Sequence, residues 1–222
     1  MRNFDEIFAI AAERKGGAGA LNAMLESGLS ADDFCKIGDD RILSRFAFQI
    51  FCAGFNWKVV DAKWPGHEDA FKGFDPHKVA MMDDEWFDAL LQDDRIIRFG
   101  AKIRSMQENA VFVTELAAEH GSAARAIGQW PNEDYIGLLE MLKKRGARLG
   151  GTTGAYALRF LGRDGFILSR DVTARLIAEG VIDKPATSKS VLAKVQAAFN
   201  IWAEQSGRGL TEISRVLAMS IG

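Results

Sequence analysis

Between Asp93 and Ala110 the chain reads DDRIIRFGAKIRSMQENA, with a glycine standing between two basic residues, Arg98 and Lys102. The stretch before it, DDEWFDALLQDD, ends in acids, which oppose a helix dipole and favour an early stop. A second helical run begins near Gly100 or Ala101. This spacing predicts a tight hairpin in which Ile96 and Ile97 pack inward and the first amides of the second helix stay free. Free amides at a helix N-terminus bind anions, so Arg98, Phe99, Gly100, Ala101 and Lys102 form a segment that suits a DNA phosphate. Gly100 would also let another molecule approach the backbone closely. The alternative is a plain helix–helix turn whose basic residues neutralise Asp93 and Asp94. A second basic cluster, Lys143, Lys144, Arg145 and Arg148, ends a helical run just before GGTTG. It either offsets that helix's dipole or meets phosphate, with Thr152 and Thr153 then bonding the DNA backbone or sugar.

The elements that must position these residues are helices. Apolar residues recur at helical spacing over 4–14, 19–27, 39–54, 84–92, 102–119, 133–145, 153–162, 171–179, 188–205 and 209–219. Alternating strand patterns are almost absent, so the fold class is all-α. Ser30, Asp83, Asn132 and Thr187 stand as start signals, and Gly28, Gly146 and Gly180 as stops. The breaks at 64–67 (WPGH), 150–154 (GGTTG) and 183–187 (DKPAT) read as hinges or boundaries. In the tail, an apolar stripe through Val191, Val195, Ala198 and Trp202 predicts packing.

The bulk numbers exclude several classes. With 222 residues, 48% apolar and 26% charged, the chain can bury a real core. Its net charge of −2 argues against a broadly basic nucleic-acid coat. The average hides an asymmetry: residues 1–90 hold 10 Lys/Arg against 16 Asp/Glu, and residues 91–222 hold 18 against 14, so a polyanion would prefer the later part. Cys35 and Cys52 sit in apolar helical contexts without CxxC spacing and read as reduced thiols. No apolar run approaches a membrane span, and the N-terminus does not resemble a signal peptide. A soluble, cytoplasmic protein is expected.

Three ordered blocks carry a resemblance. FDPHKVAMMDDEWFDALLQDDRIIRFGAKIRSMQENA, residues 74–110, resembles the central block of the 3-methyladenine DNA glycosylase I family, within the helix-hairpin-helix glycosylase superfamily. CAGFNWKVVDAKW, residues 52–64, resembles that family's alanine-glycine-x-x-tryptophan segment, and LKKRGARLGGTTGAY, residues 142–156, its basic and glycine-threonine-threonine block. The resemblance implies a helix-hairpin-helix DNA glycosylase fold of two closely packed helical subdomains. The matched core is read as 39–180, between an unmatched N-terminal segment, 1–38, and a C-terminal helical extension, 181–222, packing on the core.

The function so implied is excision of a damaged base from duplex DNA by base flipping and hydrolysis, 3-methyladenine being the type substrate. Trp57 takes the place of the pocket tryptophan, with Phe46 and Phe48 lining the same space, unless these phenylalanines are simply core. Eight residues before Trp57 the family places a base-recognising glutamate; here Gln49 stands there, able to donate and accept hydrogen bonds but without charge. Phe55 falls where the family inserts a wedge into the DNA stack. Asp171 is expected to cap the helix VTARLIAEG, and no lysine falls where Schiff-base chemistry would need one, so a monofunctional enzyme is implied. The family's structural zinc has its cysteine and histidine ligands near both chain ends. This chain has none before Cys35 or after His120, so no metal and no cofactor are expected. The implied partner is duplex DNA with a damaged base, met by a monomer. The loss of the pocket glutamate leaves open a second reading, a non-catalytic DNA-damage-binding protein on the same fold.

Overall fold

The computed structural model describes residues 1–221, and among them there is no strand. The helices are α1 (Phe4–Arg14), α2 (Ala18–Ala23), α3 (Ala31–Phe34), α4 (Asp39–Cys52), α5 (Trp57–Ala70), α6 (Pro76–Ala80) and α7 (Asp84–Gln92). They continue as α8 (Gly100–His120), α9 (Ala123–Gly128), α10 (Tyr135–Arg145), α11 (Thr152–Leu161), α12 (Arg170–Ala178), α13 (Lys189–Ser206) and α14 (Leu210–Met219). The chain forms two compact units. One gathers residues 1–29, 131–137 and everything from 162 onward; the other comprises 30–130 and 138–161. Both chain ends thus belong to one unit, although the sequence alone separates 1–38 from 181–222.

In the unit that holds the chain ends, the stripe of α13 packs as its spacing predicts. Val195, Ala198 and Trp202 are buried and Val191 is half-buried. The Trp202 indole N–H donates to the Arg2 carbonyl at 3.2 Å, and Phe199 stacks on Phe166 at 4.0 Å between ring centroids. The first amides of α14, Leu210 and Thr211, donate to the buried Asp164 carboxylate at 3.0 and 2.8 Å, which caps a helix whose own N-cap, Gly209, has no side chain. Glu179 is buried between Arg2 and Arg175, with contacts of 2.8 and 3.1 Å. The cap of α12 corrects the expectation for Asp171: the Ser169 hydroxyl accepts from the Val172 amide, and Asp171 lies in the first turn. Likewise Ser188, one residue past Thr187, caps α13.

In the other unit the 21-residue α8 is the central strut, burying Ile103, Met106, Ala110 and Val113. Helix α4 presents two faces. Ile42, Leu43, Phe46, Ala47, Ile50 and Phe51 are buried, whereas Arg45, Phe48, Gln49 and Cys52 are half-buried. Those four stand at i, i+3, i+4 and i+7 and therefore share one stripe. WPGH, expected as a break, lies inside α5. The Pro65 ring is exposed to solvent, while Trp64 and His67 join a ladder of rings with Phe71 and Phe74; Trp64 and Phe74 stack at 5.4 Å and Phe71 and Phe74 at 5.2 Å. Packing of that aromatic face outweighs the helix-breaking tendency of proline and glycine.

Candidate nucleic-acid interface and base site

The hairpin is built as its sequence predicts. Helix α7 ends at Gln92, α8 begins at Gly100, and Ile96 and Ile97 between them are buried. Asp93 pairs with Arg95 at 2.7 Å, so that acid is neutralised without Arg98. Arg98 is exposed and has no side-chain partner among the described residues. Phe99 is the N-cap of α8 and supplies no side-chain cap; its carbonyl accepts from the Lys102 and Ile103 amides. The Gly100 and Ala101 amides are left without partners, which is the donor arrangement that holds a phosphate.

Helix α5 holds this hairpin in place. The Lys63 ammonium donates to the Asp94 carbonyl and, at 3.5 Å, to that of Ile96. The buried His67 donates from Nδ1 to the Lys63 carbonyl at 3.0 Å, and its Nε2 accepts the Ile97 amide at 3.2 Å. Burial depresses the basicity of this imidazole, so it stays neutral as that pattern requires. Gly66 lies directly against the loop: a Cβ there would stand 2.6 Å from the Arg95 carbonyl oxygen. Sequence reasoning missed these residues because proline and glycine disguised α5 as a break. The one available signal was a histidine one helical turn after Lys63.

Gly100 itself reads differently in the structure. A Cβ on it would point toward the protein, 3.4 Å from a Leu91 methyl carbon, so its lack of a side chain serves packing rather than access from outside. Lys102 also departs from expectation. Its side chain is buried, and its ammonium donates to the Phe51 carbonyl at 3.1 Å and the Ala53 carbonyl at 2.6 Å. These carbonyls belong to the exposed end of α4, where a cation offsets the helix dipole. Burial, and then the charge of Arg148, lower the Lys102 pKa.

Beyond α4 the chain turns through Gly54, whose φ of 81° favours glycine, and Asn56 caps α5 by accepting the Lys58 amide. This short loop presents Phe55, 40% exposed, and Trp57, 59% exposed at the first position of α5. Such exposure keeps Trp57 out of the core. Phe55 meets Phe99 of the hairpin edge-on at 6.4 Å, and the Lys102 ammonium lies 4.6 Å from the Phe55 ring centroid. Wedge loop and hairpin thus form one surface.

The half-buried stripe of α4 faces the same question of base recognition. The Gln49 amide has no hydrogen-bond partner among the described residues. Phe48 packs edge-on against Trp64 at 4.9 Å, and the Arg45 guanidinium sits over both Phe48 and Phe160, 5.1 and 5.6 Å from the ring centroids. Burial raises the Cys52 thiol, which stays protonated. The stripe therefore holds no carboxylate. Phe46 does not join it: at 0% exposure it is core, outside the half-buried stripe.

The second basic cluster is largely occupied. Arg145 makes a paired contact with Glu119 at 2.7 and 2.8 Å and reaches Glu115, while Lys144 pairs with Glu140 at 3.1 Å. Arg148 is exposed at a left-handed φ of 60° and is close enough for its charge to act on Lys102. Thr152 and Thr153 begin α11, the first exposed and the second half-buried. A separate cavity of about 330 Å³, lined by Asp39, Asp75, His77 and Thr114, shares none of the predicted site residues. As for zinc, no three His, Cys, Asp or Glu side chains among the described residues are grouped so as to hold a metal ion.

Residues 34–138 match the family model for methyladenine glycosylase. Over 137 residues the chain is 30% identical to the DNA-3-methyladenine glycosylase 1 of Escherichia coli (strain K12), covering 51% of this chain and 73% of that protein. A DNA-3-methyladenine glycosylase of Haemophilus influenzae is 38% identical over 58 residues, 26% of this chain and 31% of that one. The solved structure of 3-methyladenine DNA glycosylase I from Staphylococcus aureus superposes with a TM-score of 0.52 at 19% identity, over 71% of this chain and 92% of that chain, a likeness of fold.

Proposed function

The chain belongs to the methyladenine glycosylase family, and from that premise we propose that it is a monofunctional base-excision-repair DNA glycosylase acting on an alkylated purine of the 3-methyladenine type. The observation that carries this reading is the shared surface of hairpin and wedge loop: Phe55 and Phe99, both solvent-facing, meet beside the unpartnered Gly100 and Ala101 amides. In this reading those amides and Arg98 hold a phosphate, and Phe55 fills the gap left when a nucleotide turns out of the stack. Trp57 offers an open indole face on which the flipped base stacks, and Gln49 reads its edge with one donor and one acceptor.

The chemistry then demands little of the protein. A purine alkylated at a ring nitrogen carries positive charge, so cleavage of its bond to C1′ releases a neutral base without a proton donor. Water adds to C1′ and gives up one proton. Lys144 and Arg145 are absent from this account because both are paired within the chain; Thr152 and Thr153 remain as contacts to backbone or sugar. The reading is tested by chromatography of free 3-methyladenine released from methylated duplex DNA. Salt-sensitive binding of that DNA without release of any base would instead favour the lesion binder, which the missing carboxylate on the α4 stripe makes the second reading.

A further inference from the structure

We propose that Lys102 is a positioning residue that couples the DNA-backbone hairpin to the base-flipping loop and makes no phosphate contact of its own; this rests on the glycosylase reading. Its main chain and its side chain belong to different parts of the site. The backbone lies in the first turn of α8, immediately after the two unpartnered amides. The ammonium, at the end of its flexible stem, closes instead on the Phe51 and Ala53 carbonyls, which α4 leaves without amide partners at its end. Two of its three donors are thereby used, and the residue is only 5% exposed.

The ring contacts run the same way. The Phe55 centroid lies 4.6 Å from the ammonium and the Phe99 centroid 5.7 Å, so wedge and hairpin rings share one cation. A shift of the α8 N-terminus on gripping phosphate must carry the lysine, and with it the carbonyl of Ala53 next to Gly54 and Phe55. Arg98 and Arg148, both exposed, are free to face phosphate instead.

Lys102→Met keeps an unbranched apolar stem of four heavy atoms and deletes the ammonium with its donors. Three readouts are compared with wild type: the salt dependence of binding to undamaged duplex, the rate of base release at saturating DNA, and the fluorescence of 2-aminopurine placed beside the lesion, which reports flipping. We expect the slope of log K against log salt to stay within about 0.2 of wild type, since no counterion-displacing contact is lost. Release and the flipping signal should both slow by about tenfold or more. Arg98→Ala, by contrast, should lower that slope by about 0.9. The proposal is overturned if Lys102→Met lowers the slope as Arg98→Ala does, or if flipping is unchanged. Should the methionine variant not fold, Lys102→Gln, which keeps an amide donor, is read by the same criteria. If wild type releases no base from any substrate, the glycosylase reading fails by that fact, while the flipping signal still decides the coupling.

Discussion

Gln49 is the residue on which the chemistry of the site turns. Its stripe on α4 carries Arg45, Phe48 and Cys52, so the only fixed charge there is positive. A cationic base entering beside Gln49 finds hydrogen bonds but no carboxylate on the stripe itself; the acid whose charge reaches Arg45 and Cys52 is Asp61 of α5. Gln49→Glu is accordingly expected to raise kcat/KM for 3-methyladenine release by about tenfold, the equivalent of ~1.4 kcal/mol. An unchanged or lower kcat/KM would remove Gln49 from the base site. Gln49 and Phe55 were reached through the family resemblance, which puts a base-reading residue eight positions before Trp57 and a wedge in the loop between them; the residues by themselves announce neither role. The commitments of Lys102 and Arg145 were not legible either, because a charged side chain's partner depends on which distant segments the fold brings near. Lys102 meets carbonyls 49 and 51 positions away, and Arg145 meets Glu119, 26 positions away.

At the scale of elements, the α4 loop, α5, the hairpin and α8 form a closed bracket: α5 starts beside the wedge and holds the hairpin through Lys63 and His67. Helix boundaries around the hairpin were readable, since acids at the end of α7 and the apolar run of α8 are local signals. The continuity of α5 was not, since it depends on the ring ladder that His67 joins with Phe71 and Phe74. Two glycines separate the roles of spacing and packing. Gly66→Ala would place a Cβ against the Arg95 backbone and should cost about 1–3 kcal/mol and weaken DNA binding as the hairpin moves. Gly100→Ala meets only a methyl carbon at 3.4 Å and should cost less than about 1 kcal/mol. Urea unfolding together with DNA titration of both variants checks the order; equal effects would contradict the close approach of α5 and hairpin.

For the whole molecule, acid sensitivity follows from two buried groups, one in each unit. His67 is held neutral by burial, below its ordinary value of 6.5, so the unfolded chain takes up a proton that the folded chain refuses. The stability it contributes is complete above about pH 6.5 and declines as pH falls toward the lowered folded value. Burial alone would raise the Glu179 carboxyl, but hydrogen bonds from Arg2 and Arg175 lower it below its ordinary 4.5; its contribution is complete above that value and is lost at lower pH. Unfolding midpoints across this range should therefore fall in two steps, and His67→Phe should remove the pH slope of the first. The all-α class was plain in the periodicity, whereas the grouping of both chain ends in one unit was not, because no local pattern announces that Arg2 meets Trp202. The most direct measurement is single-turnover release of free base from methylated duplex DNA by wild type and Trp57→Ala. Trp57 is 59% exposed, so its loss should leave the fold intact. The account predicts 3-methyladenine release by wild type, slowed about tenfold or more in the variant, in line with the ~1–3 kcal/mol of base stacking on an aromatic face. Equal release by both proteins, or none by wild type, would contradict it.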